Sequence, residues 1–326
     1  MAKVSVLVAV YNAEPFLSQC LDSLLAQTLA DIQVICIDDA STDGSLQVLN
    51  DYARRDSRIE VVSLDVNGGQ AHARNVGLQL ARGGVVCMVD ADDWLSPDAL
   101  QRLYEAFDET TDCVLLELRK VYPDGREERY PMADFSTLTG QEAFRLSLTW
   151  QIHGLYGVRL AIHRQHPYDE TCRAYSDDNT TRIHYLCSRR VGRCSGVYYY
   201  RQHSASVTHS VSPRRFDYLT ANESMRRQMT ELNVGKTLLD LYENHRWLNL
   251  VDVYMFYHVH GRQLAAADRC YGLNLLHHAW ATIDRQSLLS ATTSKFGYRP
   301  CPSFRLFRLQ EWFYFTLRGL LGRNRH

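Results

Sequence analysis

The sequence predicts an α/β fold, with a mostly parallel central sheet flanked by helices. Four apolar runs of strand length occupy positions 4–10, 32–37, 59–63 and 85–89. Each run is followed, after a short connection, by a segment whose apolar side chains recur at helical spacing. Strands that alternate with helices over short connections form parallel sheets that helices cover on both faces.

Size and composition restrict the class of protein. The chain has 326 residues, of which 45% are hydrophobic and 22% are charged, as in ordinary globular proteins. The net charge of -1 gives no reason to expect nucleic acid as a partner. Nine cysteines without a Cys-x-x-Cys pair favour free thiols in a reducing, cytoplasmic compartment. No apolar stretch reaches membrane-spanning length, and the run at 4–10 leads into Tyr11 without a cleavage site, so we expect a strand there rather than a signal peptide.

Three carboxylates follow the fourth apolar run. Asp90, Asp92 and Asp93 stand within four positions, directly before Trp94. In an open α/β sheet, ligands bind at the carboxyl ends of the strands. Clustered carboxylates repel one another unless a cation lies between them, and the divalent cations that prefer oxygen ligands also bind diphosphates. The alternative is a solvated loop at the start of a helix.

Two common phosphate-binding loops do not occur in the sequence. The turn after the first strand reads Val-Tyr-Asn-Ala-Glu-Pro at positions 10–15, without the glycines of the dinucleotide-binding fingerprint. A Walker loop is also missing. The sequence therefore predicts that a metal ion, rather than glycine amides, manages any bound phosphate.

Four motifs follow one another in the first part of the chain. They read Val-Ala-Val-Tyr-Asn-Ala-Glu-Pro-Phe-Leu at 8–17, Ile-Asp-Asp-Ala-Ser-Thr-Asp-Gly-Ser at 37–45, Asn-Gly-Gly…Ala-Arg-Asn-Val-Gly-Leu at 67–78 and Val-Asp-Ala-Asp-Asp-Trp-Leu-Ser-Pro at 89–97. In this order they resemble a family 2 glycosyltransferase of the GT-A fold, of the kind that builds bacterial polysaccharides. The resemblance implies a nucleotide-sugar donor, a Mn²⁺ or Mg²⁺ ion and inversion at the sugar carbon.

The resemblance also implies which residues bind the donor nucleotide. Val10 and Asn12 belong to the first motif, and Asp39 stands where the family holds the nucleobase. A carboxylate accepts the imide N–H of uracil, whereas cytosine presents an acceptor at that position, so a UDP-sugar is expected. Arg74 is placed against the base and the phosphates. Turn chemistry for the Asp38-Asp39 pair and a surface ion pair for Arg74 are the alternatives.

The acidic motif supplies the remaining donor-side roles that the resemblance implies. Asp92 binds the metal directly, and Asp90 takes the ribose hydroxyls or shares the metal. Asp93 orients one of these groups or caps the following helix. Asp93 and Trp94 are also expected among the acceptor or diphosphate contacts.

A second acidic pair, Asp177-Asp178, precedes a helical segment. The family usually has Glu-Asp here and uses the Asp as general base, so Asp178 aligns with the base and Asp177 with a supporting acid. An inverting transfer needs such a group, because the acceptor hydroxyl must lose its proton on the face opposite the departing diphosphate. The alternative is that both acids cap the helix, where its dipole favours them.

The segment 197–209 resembles the closing strand and loop of the family. Arg201, His203 and His209 are candidates for contacting the diphosphate, and His209 is the third predicted metal ligand, because neutral imidazole binds Mn²⁺ well. Sheet packing and a surface position are the alternatives for this segment.

We expect three parts along the chain. Residues 1–212 form the catalytic domain, with the nucleotide-sugar half at 1–110 and the acceptor half at 111–212. Residues 213–300 form a helical region that packs on the catalytic domain or makes a homodimer contact. Residues 301–326 form a basic amphipathic tail.

The tail has an unusual composition. Between 303 and 325 it combines aromatic residues and leucines with arginines, which fits a helix lying in a membrane interface. A helix that covers a groove on its own protein is the alternative. The first reading agrees with family members that extend lipid-linked acceptors.

The sequence thus predicts an inverting, metal-dependent glycosyltransferase. It would move a sugar from a UDP-sugar to a hydroxyl of a growing glycan or lipid-linked oligosaccharide, in the cytoplasm or peripherally on the inner face of the plasma membrane. A nucleotidyltransferase is one alternative, but it would show a glycine- and basic-rich loop after the first strand. A nucleotide-sugar-binding relative without catalysis is the other, and the presence of Asp92 and Asp178 argues against it.

Overall fold

The computed structural model describes residues 2–172, 174–203 and 211–322. The chain divides into two compact units. The sheet unit comprises Met1–Thr171 and Ser176–Ser206, and the helical unit comprises Cys172–Tyr175 and Val207–His326. The functional division at residues 212 and 300 stays a prediction.

The described part of the sheet unit contains ten strands and seven α-helices. The strands are β1 (Val4–Val10), β2 (Ile32–Asp38), β3 (Ile59–Ser63), β4 (Val85–Met88), β5 (Trp94–Leu95), β6 (Thr111–Val121), β7 (Glu127–Arg129), β8 (Thr137–Thr139), β9 (Tyr156–Arg159) and β10 (Arg190–Arg201). The helices are α1 (Glu14–Leu25), α2 (Ser45–Arg55), α3 (Gln70–Leu80), α4 (Ala99–Glu105), α5 (Gly140–Leu148), α6 (Leu160–Gln165) and α7 (Ser176–Cys187).

All ten strands belong to one sheet. Its main path runs β3-β2-β1-β4-β9-β6-β10-β5, with β7 paired to β6 and β8 paired to β10. The first four strands of this path are mutually parallel, and β10 is parallel to β6, whereas β9 is antiparallel to both β4 and β6. The predicted α/β class with a mostly parallel sheet is confirmed. Because β1, β2 and β4 are parallel neighbours, the motifs that follow them meet at one edge of the sheet.

The central strands are apolar on both faces because helices cover both sides of the sheet. Every residue of β2 is buried, and β1 is buried except for Ala9. Two polar residues interrupt these runs, Ser5 and Gln33. Their side chains bond each other across the two strands at 2.7 Å, so neither is left unsatisfied in the core.

The loop before α1 contacts the loop after β2 through Asn12. Asn12 does not cap the helix; the cap position is Ala13, and Asn12 adopts a left-handed backbone with φ of 50°. Its side-chain oxygen instead accepts the N–H of Thr42 at 2.8 Å. The loops after β1 and β2 lie side by side, so the asparagine satisfies a donor of the neighbouring loop rather than one of its own helix.

The described part of the helical unit contains helices and short 3-10 turns, and it contains no strand, as expected. Its helices are α8 (Asp217–Glu231), α9 (Lys236–His260), α10 (Ala266–Thr282), α11 (Ser290–Thr293) and α12 (Phe304–Leu320). The core packs Trp247 of α9 edge-on against Phe307 of α12, with ring centroids 5.8 Å apart. None of the helices described is both long enough and apolar enough to cross a lipid bilayer.

Candidate active site

The loops after β1, β2 and β3 are joined by hydrogen bonds around Asp39. The carbonyl of Val10 accepts the Asp39 N–H at 2.8 Å, and the backbone N–H of Asn12 donates to Ser41 Oγ at 3.0 Å. The Asp39 carboxylate accepts the N–H groups of Gly68 at 2.7 Å and Gly69 at 2.8 Å. The buried Asp39 side chain therefore holds the turn that leads into α3.

This turn needs a glycine at its last position. Gly69 has a φ of 86°, a backbone conformation that residues with a Cβ rarely adopt, and it immediately precedes α3. The sequence predicted that Val10, Asn12 and Asp39 lie at one edge. In the structure Val10 contacts Asp39, and Asn12 contacts Ser41 and Thr42 of the same loop. Contact between Asp39 and a nucleobase stays a prediction, although a carboxylate that accepts two amides retains lone pairs for a third donor.

Arg74 of α3 pairs with Asp90 at the end of β4. Their side chains approach to 2.6 Å, and the guanidinium is almost entirely buried above the ring of Tyr168, at 5.2 Å. The alternative of a surface ion pair is therefore wrong. Burial opposes the charge of Arg74, but Tyr168, Asp90 and Asp177 outweigh that effect and raise the pKa of the guanidinium above its ordinary value. Burial raises the pKa of Asp90, and the charge of Arg74 opposes the rise.

Asp93 is buried and joins the end of β4 to β10. Its Oδ2 accepts the hydroxyl of Tyr198 at 2.8 Å, and its Oδ1 accepts the N–H of Arg201 at 2.8 Å. The Tyr198 oxygen in turn accepts the N–H of Asp90 at 3.0 Å. Burial, together with the charges of Asp90 and Asp92, raises the pKa of Asp93 to about 9.

This environment corrects two expectations for Asp93. Its side chain is fully buried, so contact with acceptor or diphosphate is contradicted, and α4 begins after Asp98, so Asp93 caps no helix. The orienting role remains, because Asp93 fixes the loop that carries Asp90 and Asp92. Tyr198 was not predicted as a site residue. It lies in the segment 197–209, for which sheet packing was the alternative interpretation.

Asp92 lies beside His203. Asp92 Oδ2 and His203 Nε2 are 2.9 Å apart, and the imidazole stacks on Phe16 with centroids separated by 4.8 Å. About a third of the Asp92 side chain is exposed, at 34%. The structure thus brings Asp92 and His203 together, whereas His209 lies outside the described residues.

Arg201 holds the acidic loop against α1. Its guanidinium lies over the rings of Trp94 at 4.6 Å and Phe16 at 5.1 Å. Its Nε donates to the Asp92 carbonyl at 2.7 Å, and its Nη2 donates to Gln19 Oε1 at 2.5 Å. Trp94 also stacks on Tyr199 at 5.3 Å. The predicted residues Arg201 and Trp94 are therefore part of the loop's support, with Phe16 and Gln19 as partners that no local sequence signal identifies.

The side chains around Asp92 suit a metal ion whose remaining ligands come from the substrate. Among the described residues, no group of three or more His, Cys, Asp or Glu side chains could hold a metal ion on its own. Mg²⁺ is usually bound through one or two carboxylates and the phosphates of a substrate, and imidazole is a further ligand for Mn²⁺. The partly exposed Asp92 beside His203 fits this mode, while Oδ1 of Asp90 already accepts from Arg74.

The second acidic pair lies in the first turn of α7. Asp177 is exposed, and its charge acts on Arg74 and Asp90, so it belongs to the same electrostatic environment as the donor-side pair. Asp178 is partly buried. Burial raises the pKa of Asp178 to about 7; Arg182 opposes this rise and Asp177 adds to it. A carboxyl group with this pKa exchanges protons at neutral pH.

Tyr168 is a residue that the sequence did not reveal. Its backbone is fixed to α3 by Asn75, which accepts the Tyr168 N–H and donates to the Tyr168 carbonyl, both at 2.9 Å. Its ring lies beneath Arg74. Since 93 residues separate Tyr168 from Asn75, no local pattern connects them.

The chain is similar in sequence to known glycosyltransferases. Residues 5–166 match the family model described as glycosyl transferase family 2. The uncharacterized glycosyltransferase EpsJ of Bacillus subtilis (strain 168) is 35% identical over 216 residues, which are 63% of this chain and 62% of that protein. The match therefore spans less than two thirds of the length of this relative.

Solved structures show the same fold. TarS 1–349 of S. aureus, in complex with UDP-GlcNAc, has a TM-score of 0.75 and 20% identity, covering 98% of this chain and 92% of that chain. The mannosyltransferase PcManGT from Pyrobaculum calidifontis, in complex with GDP-Man and Mn²⁺, has a TM-score of 0.53 and 17% identity, covering 98% and 88%. At these identities the likeness establishes the fold, and the GT-A class expected from the sequence is confirmed.

Proposed function

Because the chain belongs to glycosyl transferase family 2, we propose that it is a glycosyltransferase that moves a sugar from a nucleotide-sugar to a hydroxyl group of a growing glycan. The observation that carries the proposal is the arrangement at the sheet edge. There Arg74 of α3 pairs with Asp90, and the partly exposed Asp92, two residues further along the chain, lies beside His203. Such an arrangement suits a nucleoside diphosphate, which presents ribose hydroxyls and phosphate charge a few ångströms apart.

The donor in this proposal is a UDP-sugar. Asp39 would read the imide N–H of uracil while it holds the glycine turn, and Val10 and Asn12 would line the base. Arg74, already oriented by Asp90 and Tyr168, would face the phosphates. The UDP-GlcNAc complex of TarS supports a uridine nucleotide, and the fold alone is shared with it.

A divalent cation, Mn²⁺ or Mg²⁺, completes the donor side of the proposal. Asp92 would hold it together with His203, with His209 and Asp90 as further candidates and the diphosphate oxygens as the remaining ligands. When bound, the ion supplies positive charge that stabilises the departing diphosphate. The Mn²⁺ in the PcManGT complex supports this assignment.

Asp178 is the general base of the proposed reaction. The acceptor oxygen forms a bond to the anomeric carbon as the bond to the diphosphate oxygen breaks, and the electron pair leaves with UDP. The acceptor proton passes to Asp178, whose pKa of about 7 leaves a large ionised fraction at neutral pH. Asp177 supports the base and faces Arg74 and Asp90. Attack from the side opposite the diphosphate inverts the configuration at that carbon.

The proposed acceptor is a glycan or lipid-linked oligosaccharide, and the proposed location is the cytoplasm or the inner face of the plasma membrane, with peripheral contact through 303–325. Self-association through the helical unit is the alternative use of that surface. Family membership favours glycosyl transfer over nucleotidyl transfer. A measurement of turnover distinguishes the proposed enzyme from a protein that binds a nucleotide-sugar without catalysis.

A panel of nucleotide-sugars tests the donor assignment. UDP-, GDP-, CDP- and dTDP-sugars are added to the full chain with and without Mn²⁺, and the melting temperature is measured, since a ligand that binds the folded state raises it. We expect UDP-sugars with Mn²⁺ to give the largest rise, and Asp39→Asn to reduce it. The exposed Asp134→Asn is the matched control. Equal shifts for all four nucleotides would contradict the donor assignment.

A further inference from the structure

Helix α12 has apolar side chains on two opposite faces. The inner face carries Phe307 and Phe315, which are buried in the core of the helical unit. The outer face is exposed, although its side chains are as large and as apolar. Between 45% and 80% of the surface of each of these residues is accessible: Leu306, Leu309, Trp312, Phe313, Leu317 and Leu320.

The outer side chains form a continuous stripe. Leu306, Leu309, Phe313, Leu317 and Leu320 recur three or four positions apart, the spacing of one helix face. A helix that only covers its own core has polar residues there. Helix α12 has 17 residues and is about 26 Å long, and the stripe extends along most of that length. Contiguous exposed apolar surfaces of this kind are typical of interaction sites.

The stripe continues onto the preceding segment. Phe296 is about half exposed and packs edge-on against Phe313, with centroids 6.3 Å apart. Aromatic side chains at the margin of an apolar surface are typical of helices that lie at the level of lipid headgroups.

The charges at the margin of this face have one sign. Arg305 and Arg308 are exposed near the start of α12, whereas Arg318 near its end is half-buried and lies over the rings of Tyr314 and Phe315. The only acidic residue of α12 is Glu311, and its side chain is fully buried on the inner face. The accessible surface of the helix therefore combines apolar and cationic groups without a carboxylate.

A cavity of about 560 Å³ opens where α12 begins. It is lined by side chains of α10 and α12, among them His277, Trp280, Phe304, Arg305 and Arg308. Ser303 caps the helix here and accepts the N–H of Leu306 at 3.3 Å. Two arginines beside aromatic rings at a helix N-terminus form a suitable environment for a phosphate that is attached to an apolar tail.

From this arrangement we propose that the outer face of α12 docks on a membrane surface that contains anionic phospholipids. The helix lies parallel to the surface, its leucines and aromatic rings enter the acyl boundary, and Arg305 and Arg308 bind headgroup phosphates at the mouth of the cavity. The inference assigns a lipid class and a binding face to the membrane location of the proposed function. It rests on the helical unit alone and is measured without glycosyl transfer.

Charge favours a membrane over a second copy of the chain. In a two-fold dimer the same face meets itself, so Arg305 and Arg308 of one α12 would find only apolar and cationic groups on the other. The face offers no carboxylate to pair with them. Anionic lipids supply both the apolar phase and the negative charge, and each arginine near such a surface adds to binding.

Vesicle binding by the full chain tests the proposal. Vesicles of phosphatidylcholine alone and of phosphatidylcholine with phosphatidylglycerol are sedimented with the protein at low and high salt. We expect at least about tenfold tighter binding to the phosphatidylglycerol vesicles, weakened by salt because screening removes the charge contribution. Binding to neither vesicle overturns the proposal, and so does equal binding to both.

Two sets of variants separate the apolar from the charged contribution. Leu309→Gln, Phe313→Gln and Leu317→Gln combined should lower vesicle binding at least about tenfold, whereas the matched control Leu248→Gln, an exposed leucine of α9, should bind as the wild type does. Arg305→Gln with Arg308→Gln should remove the preference for phosphatidylglycerol, and the corresponding lysine pair should keep most of it. Unchanged binding by the triple glutamine variant would overturn the proposal.

Three further measurements distinguish loss of lipid binding from misfolding and from self-association. Melting temperatures show that each variant folds, and the response to UDP-sugars shows that the donor site is intact. A concentration-dependent dimer that the triple variant abolishes, without vesicle binding by the wild type, would assign the face to self-association and overturn the lipid proposal. If vesicle binding fails but UDP-sugars still raise the melting temperature, the lipid proposal is wrong and the proposed enzyme function is unaffected. If vesicles bind but UDP-sugars have no effect, the proposed donor is wrong and the lipid proposal is unaffected.

Discussion

The two acidic clusters of the sheet unit are held in very different ways. The loop after β4 is bonded to other elements at three places. Arg74 donates to Asp90, Tyr198 donates to Asp93, and Arg201 donates to the Asp92 carbonyl. The pair at the start of α7 has less support: Asp177 is exposed, and Arg182 is the cation that opposes the raised pKa of Asp178.

The difference corresponds to two chemical tasks. A cluster of carboxylates that must receive a cation and a diphosphate has to be rigid before they arrive, because reorganising charged groups during the reaction is costly. A general base must instead gain and lose a proton near the working pH. The loop after β4 fits the first task, and Asp178 fits the second.

The strongest test of the first cluster is Asp92→Asn. The change keeps the shape of the side chain and removes the charge beside His203, so we expect turnover of a UDP-sugar to fall by about 10²–10⁴-fold. The release of UDP is measured with saturating Mn²⁺. Asp134→Asn removes an exposed carboxylate of the same unit and should leave the rate unchanged. A rate for Asp92→Asn equal to that of this control would remove Asp92 from the donor site.

The corresponding change in the second cluster is Asp178→Asn. Without a proton acceptor the rate should fall by about 10²–10³-fold, since general base catalysis contributes on this scale. In the wild type the rate should rise with pH through about 7, because the proposed base acts in its ionised form. A flat pH–rate profile between pH 6 and 8.5, a range that includes the pKa of about 7 of Asp178, would show that another group accepts the proton.

Arg182→Gln sharpens the comparison further. Arg182 favours the ionised form of Asp178 and so lowers the pKa of that carboxyl group; without the arginine the pKa should rise. The rising limb of the pH–rate profile should then move to higher pH, by about one unit for a lost interaction of about 1.4 kcal/mol. At high pH the rate should approach that of the wild type. A uniform loss at every pH would point to a structural role for Arg182 instead.

The last prediction concerns Asp93 and the stability of the metal-free protein rather than turnover. Its folded pKa of about 9 lies far above the ordinary value for aspartate, so folding binds a proton. This proton contributes to the free energy of unfolding. The contribution is complete below the pKa of Asp93 in the unfolded chain and is lost as pH rises towards 9, by up to about 1.4 kcal/mol per pH unit. Asp93→Asn has no such proton, so its melting temperature should decline less between pH 5 and pH 8.5. Parallel declines would show that Asp93 is ionised in the folded protein.

The fold could be predicted where one local pattern determines it. Strands β1 and β3 have the predicted bounds, because a strand covered on both faces is a continuous apolar run. Strand β9 was not predicted. It lies in a mixed stretch and inserts antiparallel between β4 and β6, and only tertiary pairing selects that position.

The site could be predicted as a set of residues more easily than as a set of contacts. The motifs placed Asp39, Arg74 and Asp92 at one edge because parallel strands end there. The partners of those residues could not be found in this way: Tyr168 beneath Arg74 and Tyr198 beside Asp93 are far from them in the sequence. The burial of Asp93 was missed for the same reason, because it depends on β10.

The most direct test of the account measures donor affinity and turnover in the same two variants. For Asp92→Asn, binding of the UDP-sugar in the presence of Mn²⁺ should weaken at least about tenfold along with turnover, because the proposed role of the residue is to hold the donor through the metal ion. For Asp178→Asn, binding should stay within about threefold of the wild type while turnover is lost, because the proposed role of the residue is to accept the acceptor proton. If Asp178→Asn weakens donor binding as much as Asp92→Asn does, or if neither variant loses turnover, the assignment of separate tasks to the two acidic clusters is contradicted.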